Sequence, residues 1–169
     1  MEGNLIQKVL FSREEVKEIL DSCGEFKKVS TNNNQSYQNL YRRPSSSLIY
    51  IAKENQEIRD ILLSKLNFFN IKSISYAINV LYYPTGTVFN RHSDGLYRYK
   101  TLVVQLSEST DYEGGELIVE NSTASKDIGN VIIFDSSKMH EVKKVTSGER
   151  YSMSIWISPE DISTKKTII

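Results

Sequence analysis

Two histidines occur in the whole chain, His92 and His140, so any metal chemistry that uses imidazole has no choice of donors. His92 and Asp94 stand two residues apart in Arg91-His92-Ser93-Asp94-Gly95. In an extended strand residues i and i+2 project from one face, so imidazole and carboxylate can converge on one ion. His140, 46 residues after Asp94, opens the short segment His140-Glu141-Val142. Two histidines and one carboxylate on one side of an ion, with open positions opposite, are the donor set of non-heme iron(II) oxygenases. An isolated His-x-Asp is weak by itself, because such pairs arise by chance and a lone histidine is often only a core or surface residue.

The neighbours of the histidines strengthen the reading. Arg150 lies ten residues beyond His140, and Ser152 follows it. In the stretch Arg150–Ile157 a period of two places Tyr151, Met153, Ile155 and Ile157 on one face. Arg150, Ser152, Ser154 and Trp156 fall on the other. An ordinary half-exposed strand would turn that polar face to water, which would leave Arg150 a surface residue. A guanidinium fork can equally hold a carboxylate at two points, with a serine hydroxyl adding a hydrogen bond. The distal carboxylate of 2-oxoglutarate is the anion that would give an inward-turned polar face its purpose.

The elements that must position these groups can be read from periodicity. Ser12 followed by Glu15 forms a capping box ahead of an apolar stripe of Val16, Ile19 and Leu20. The helix is expected to stop near Cys23–Gly24, with glycine in a left-handed cap. Residues 30–47 are polar, with Arg42 and Arg43 among asparagines, glutamines and serines, and read as a mobile loop. A second helix is predicted from about Asn55 to Phe69, with Ile58, Ile61, Leu62, Lys65 and Leu66 at helical spacing. After Ile71 the period changes to two. Strands are predicted near Ser75–Tyr83, Thr101–Ser107, Glu116–Glu120, Asn130–Asp135 and Tyr151–Ile157, with turn signals between them. Two helices followed by many short strands predict an α+β fold on a β-sandwich or barrel.

Composition narrows the classes. At 169 residues the chain is expected to form a single domain, 1–169, with a helical part of about 1–70 and a strand-rich core of about 71–160. Lysine plus arginine and aspartate plus glutamate are 21 each, and this zero net charge argues against a large nucleic-acid footprint. Cys23 is the only cysteine, which excludes an internal disulfide and any cysteine-based zinc site. A basic leader with an apolar run is not seen, nor any stretch near the roughly 18 apolar residues of a membrane span. The expectation is a soluble, cytoplasmic protein without membrane partners. Its oligomeric state is not legible.

With these residues in place, the sequence resembles a known family, the prolyl 4-hydroxylase-like branch of the Fe(II)/2-oxoglutarate-dependent dioxygenases. The resemblance runs from roughly Ser75 to Ser158. Tyr83-x-x-Gly86-x-x-Phe89-x-x-His92-x-Asp94 is similar to the branch's approach to its first two ligands. Glu113-Gly114-Gly115-Glu116-Leu117 resembles its glycine-pair turn. Gly129-Asn130-Val131-Ile132-Ile133-Phe134 leads to Met139-His140-Glu141-Val142, and the motif ends with Gly148-Glu149-Arg150-Tyr151-Ser152 and Ser154-Ile155-Trp156-Ile157. Several members of the branch carry lysine at the position of Arg150.

The resemblance implies a double-stranded β-helix, a jelly roll of cupin-like form, with the N-terminal helices packed on the major sheet. It implies Fe(II), 2-oxoglutarate and O2 as cofactors, with ascorbate as an auxiliary reductant. His92, Asp94 and His140 would hold iron, and Arg150, Ser152 and Tyr83 the co-substrate. Thr101 lies on the side of Val103 and Gln105 and would line the same pocket. Asn79, at a position the branch often gives to glutamine, and Trp156 would line the substrate pocket. Arg42 and Arg43 would contact a peptide under a closing loop. The implied reaction is hydroxylation of a C–H bond, with succinate and CO2 as co-products and a prolyl residue of a peptide or protein as first substrate. A free amino acid or small metabolite is the alternative. Nucleic-acid demethylation is disfavoured, because demethylases carry a second arginine where Trp156 stands. A different class, a jelly-roll module that binds metal without turnover, has no need of a keto-acid anchor such as Arg150.

Overall fold

The computed structural model describes residues 5–30, 48–95 and 98–163. The chain runs β1 (Ile6–Val9), α1 (Arg13–Ser22), β2 (Lys27–Ser30), β3 (Leu48–Lys53), α2 (Gln56–Leu66) and a 3-10 turn over Asn67–Phe69. The strand-rich part follows as β4 (Ile78–Tyr83), β5 (Phe89–His92), β6 (Lys100–Gln105), β7 (Tyr112–Gly114), β8 (Leu117–Val119) and β9 (Ser122–Thr123). It closes with β10 (Asn130–Asp135), β11 (His140–Val142), β12 (Val145–Gly148), β13 (Arg150–Ile157) and a 3-10 turn over Pro159–Asp161.

Seven strands form the major sheet in the order β1-β10-β6-β13-β4-β3-β2, a smaller sheet has the order β5-β11-β8-β9, and β12 pairs with β7. The fold is α+β, a double-stranded β-helix or jelly roll. Two apolar clusters divide it. One lies between the helices and the outer face of the major sheet, where Val16, Ile19, Ile58, Leu62 and Leu66 meet Ile78, Val80, Leu102, Val104, Met153 and Ile155. The other lies inside the jelly roll, where Tyr83, Val103, Ile132 and Phe134 meet Tyr112, Leu117, Val119 and Val142.

The capping box at α1 is present. Glu15 N–H donates to Ser12 Oγ at 3.1 Å and Ser12 N–H to Glu15 Oε1 at 3.0 Å. Such a cap contributes about 1 kcal/mol. The end of α1 differs from expectation: Cys23 is extended (φ −67, ψ 149) and Gly24 is not in the left-handed region. The terminal carbonyls find other donors instead. Cys23 N–H reaches Ile19 O at 3.1 Å, and Asn55 Nδ2 reaches Ser22 O at 2.6 Å. The same Asn55 caps α2 by accepting from Ile58 N–H at 3.0 Å, so one side chain ties the two helices together. The N-terminal part is also less helical than expected, since β1, β2 and β3 extend the major sheet. Residues 31–47, and with them Arg42 and Arg43, lie outside the described residues.

One turn shows why glycine is required near the site. Gly114 has φ +71, and a Cβ there would stand 2.1 Å from the carbonyl oxygen of Lys144. Any side chain would separate β7 from β12.

Candidate active site

Strand register brings the two histidines together. His92 closes β5, His140 opens β11, and the two are direct cross-strand partners in the smaller sheet. Their ring centroids lie 4.3 Å apart, with Phe89 against His92 and Phe134 against His140. Asp94 is not on a strand, contrary to expectation. It sits in the turn after β5, where its N–H donates to Ser136 O at 2.9 Å and Gly95 takes φ 105. The turn carries the carboxylate from the smaller sheet toward the major one. His92 Nε2 lies 3.5 Å from Asp94 Oδ1, and His140 Nε2 lies 3.5 Å from Oδ2.

The donor chemistry of this cluster fits a divalent metal. His92 Nδ1 is 2.6 Å from the carbonyl oxygen of Asn90, and His140 Nδ1 is 3.0 Å from that of Lys138. A carbonyl only accepts, so each Nδ1 carries a proton and Nε2 is the nitrogen that offers a lone pair when the ring is neutral. Both lone-pair atoms and an Asp94 oxygen lie within 4.8 Å of one another, and all three residues are buried. An octahedral ion at about 2.0–2.2 Å from its ligands needs adjacent donors about 3 Å apart, and each imidazole Nε2 stands 3.5 Å from one oxygen of Asp94. Burial opposes the charge on Asp94. The His92 side chain, electrostatic attraction to the His140 ring and the Thr101 hydroxyl outweigh it and hold the carboxyl well below the usual carboxylate range. Asp94 is therefore an anionic donor at neutral pH.

A second polar group lies on the same inner face of the major sheet. Arg150, 1% exposed, stands opposite Tyr83 on β4, its guanidinium carbon 4.9 Å from the Tyr83 ring centroid. Its Nη1 donates to Ser152 Oγ at 3.3 Å and its Nη2 to Gln105 Oε1 at 3.4 Å. Gln105 is held in turn, donating from Nε2 to Tyr112 Oη at 2.6 Å. Both contacts of the guanidinium are long, and Arg150 Nε is buried with no hydrogen-bond partner. Among the described residues no carboxylate pairs with this cation. Leaving a buried charge so poorly satisfied is costly, and an incoming anion would remove that cost.

Of the residues expected to line the pockets, two bond directly to Asp94. Thr101 and Trp156, neighbours across β6 and β13, both donate to Asp94 Oδ2, the hydroxyl at 2.7 Å and the indole N–H at 3.0 Å. Asn79 is half-buried opposite Ser154, on the face that carries Tyr83. Four further side chains join the site: Gln105, Tyr112, Ser136 and Arg98, whose guanidinium stacks 4.1 Å over the Trp156 ring. The alternation of β6 already placed Gln105 on the inner face. No local pattern points to the other three.

Comparison with known proteins agrees with this geometry. The model of the 2OG-Fe(II) oxygenase superfamily matches residues 78–158, which include all three clustered donors and Arg150. A PKHD-type hydroxylase of Shewanella oneidensis is 25% identical over 168 residues, spanning 88% of this chain and 75% of the relative. In fold, the chain is similar to a Pseudomonas putida prolyl-4-hydroxylase (TM-score 0.64, 18% identity, 90% and 91% of the two chains). It is equally similar to the viral collagen prolyl hydroxylase of Paramecium bursaria Chlorella virus-1 (TM-score 0.65, 18% identity, 92% and 95%). The chain resembles the 2OG-Fe(II) oxygenase superfamily over residues 78–158, and its fold is similar to that of prolyl hydroxylases. It is a 2-oxoglutarate-dependent dioxygenase whose cofactors are Fe(II), 2-oxoglutarate and O2. Among the described residues no helix is long and apolar enough to cross a membrane.

Proposed function

We propose that residues 1–169 act as one oxygenase domain that hydroxylates a prolyl residue of a peptide or protein. His92 Nε2, His140 Nε2 and Asp94 hold iron(II), and Arg150 with Ser152 holds the distal carboxylate of 2-oxoglutarate. The observation that carries this reading is the Arg150 guanidinium, buried, weakly bonded and with Nε unpartnered, on the inner face of the sheet that also meets the ligand cluster. A site that only bound metal would have no use for it. Bound iron(II) supplies the redox chemistry by which dioxygen and 2-oxoglutarate yield succinate, CO2 and a hydroxylated substrate. The protein's own residues supply placement. The backbone carbonyls of Asn90 and Lys138 fix the imidazole tautomers. Tyr83 packs against the guanidinium and presents its hydroxyl to the co-substrate. Phe89, Phe134 and Val119 keep water from the ligands.

A peptide substrate is supported by the relatives and fold neighbours, which are named as hydroxylases and prolyl hydroxylases. Asn79 and Trp156 share the inner face of the major sheet, and with Arg42 and Arg43 they are proposed to meet such a chain. A reducing cytoplasmic setting suits ferrous iron and a lone cysteine. Succinate formation over a panel of prolyl peptides, free amino acids and nucleosides tests the proposal. Turnover coupled to a prolyl peptide is expected. Coupling to a free amino acid alone would move the substrate to the small-metabolite class, and no 2-oxoglutarate decay with any partner would remove the enzymatic reading.

A further inference from the structure

Glu120 occupies a turn position that its residue type does not suit. β8 folds back on β9 through Glu120 and Asn121, with Val119 opposite Ser122 and Ile118 opposite Thr123. The first residue of this two-residue turn, Glu120, has φ +53. Glycine is the usual residue there, because a side chain in the left-handed region is strained. Among the described residues one other non-glycine takes a positive φ, Asn70, and asparagine tolerates it. A strained residue persists where its surroundings hold it, and such residues gather at functional sites.

What holds Glu120 lies beside both histidines. The register of β8 and β11 sets Val119 opposite His140, and so Glu120 opposite Met139. Glu120 N–H donates to Met139 O at 2.8 Å, which marks a hydrogen-bonded pair, and a regular ladder would return a second backbone bond. Here Met139 N–H donates to the side-chain Oε1 of Glu120 at 3.1 Å. The carboxylate stands where the ladder carbonyl would. That carbonyl accepts instead from Arg91 Nη1 at 3.1 Å, and Arg91 Nη2 lies 3.6 Å from Oε2. Met139 immediately precedes His140, and Arg91 immediately precedes His92.

The strands of the two histidines need such a tie. His92 faces His140 but Phe89 faces Val142, so three steps along β5 match two along β11. A bulge of this kind leaves one residue unpaired and disrupts the ladder locally. The Arg91–Glu120 ion pair is half exposed, so its charge contributes little, and the placement of the two acceptor oxygens is what matters. We infer that Glu120 is a positioning residue that fixes the register of His92 against His140, with its carbonyl on Arg91 and its Oε1 on Met139 N–H. The inference rests on the metal-centre reading above. Glu120 touches neither the ion nor the co-substrate, and it acts through the residues that precede the two ligands.

The test compares wild type with Glu120→Gln and Glu120→Gly, using the urea midpoint and Mn(II) binding followed by the signal of the free ion. Glu120→Gln keeps an acceptor for Met139 N–H and is expected to bind Mn(II) as wild type does. Glu120→Gly relieves the backbone strain, so its urea midpoint is expected at or above that of wild type. Its Mn(II) affinity is nevertheless expected to fall about 10-fold, the lower end of what loss of a partner behind the ligands does. A merely structural residue would not separate the two readouts in this way. Glu120→Asn also suits the left-handed backbone, and its shorter side chain does not reach Met139 N–H, so it carries the test if the glycine variant does not fold. Wild-type Mn(II) affinity in the glycine or asparagine variant overturns the inference, as does an equal loss in Glu120→Gln. Wild type that fails to bind Mn(II) at all instead removes the metal-centre reading itself, a separate outcome.

Discussion

The two faces of the major sheet are built from the same strands and are both buried, yet they are filled by opposite rules. On the helix side β4, β6 and β13 present Ile78, Val80, Leu102, Val104, Met153 and Ile155, a dry surface that α1 and α2 cover with aliphatic side chains. On the jelly-roll side the alternate residues of those strands are Tyr83, Thr101, Gln105, Arg150, Ser152 and Trp156. The first face stabilises by area alone, at roughly 25 cal/mol for each Å² of apolar surface removed from water. The second carries polar groups whose burial costs free energy unless each finds a partner. Thr101, Trp156 and Gln105 have theirs within the protein. Arg150 Nε does not. A buried guanidinium held only by two long hydrogen bonds marks where an anion belongs, and the helix side has no counterpart among its described buried side chains.

This contrast can be broken most severely at the ligands. His140→Ala is expected to abolish Mn(II) binding and to bring succinate formation to background while leaving the thermal melt close to wild type. A large drop in melting temperature would show that the inner face carries stability as well. Arg150→Ala should leave metal affinity nearly intact and raise the 2-oxoglutarate requirement by about 30- to several-thousand-fold, the 2–5 kcal/mol typical of a broken buried charge pair. Steady-state titration with 2-oxoglutarate measures it, and an unchanged KM would detach Arg150 from the site.

The helix-side counterpart is Ile155→Ala. Removing this fully buried side chain is expected to cost about 2–5 kcal/mol in denaturant unfolding, with Mn(II) affinity and the 2-oxoglutarate KM unchanged wherever the protein remains folded. A shift in either constant would mean that the faces are coupled through β13.

The smallest effect is expected at Asp161, a buried carboxylate in the turn after β13 that gathers Ser73, Ser75 and Ser158. Burial pushes its proton affinity up. The Ser73 hydroxyl, the Ser158 N–H and the Ser75 donors outweigh that and hold the carboxyl below its ordinary 3.8. A folded-state value below the unfolded one stabilises the fold above the unfolded value, and that contribution is lost as pH falls through the folded one. Asp161→Asn should therefore be less stable than wild type by about 1–3 kcal/mol at neutral pH, with the gap closing below about pH 4. A pH-independent gap between the two melts would assign the effect to packing instead of charge.

Much of this was legible in local pattern. The Ser12–Glu15 box and the alternation of β13 are decided by groups a few residues apart, so periodicity and capping rules reach them. Short strands such as β7, β9 and β11 carry too few residues to show a period. β1 gave no signal either, since all four of its residues are exposed and its place is set by pairing with β10 at the sheet edge. At the site, the identities of His92, Asp94, His140 and Arg150 could be read from type and spacing. The tasks of Thr101 and Trp156 could not, because spacing along one strand says which face a side chain takes and not what approaches from another.

Residue types and spacing set which atoms are available to hold a metal and a dicarboxylate, because the chain contains only two histidines and the alternation of β13 places Arg150 with Ser152. Tertiary structure alone decided that His92 faces His140, that the turn after β5 swings Asp94 onto the major sheet, and that Oδ2 is taken by Thr101 and Trp156. The physical reason is range. Capping and face alternation act within one turn or one pleat, whereas register between strands follows from burying the whole inner face at once.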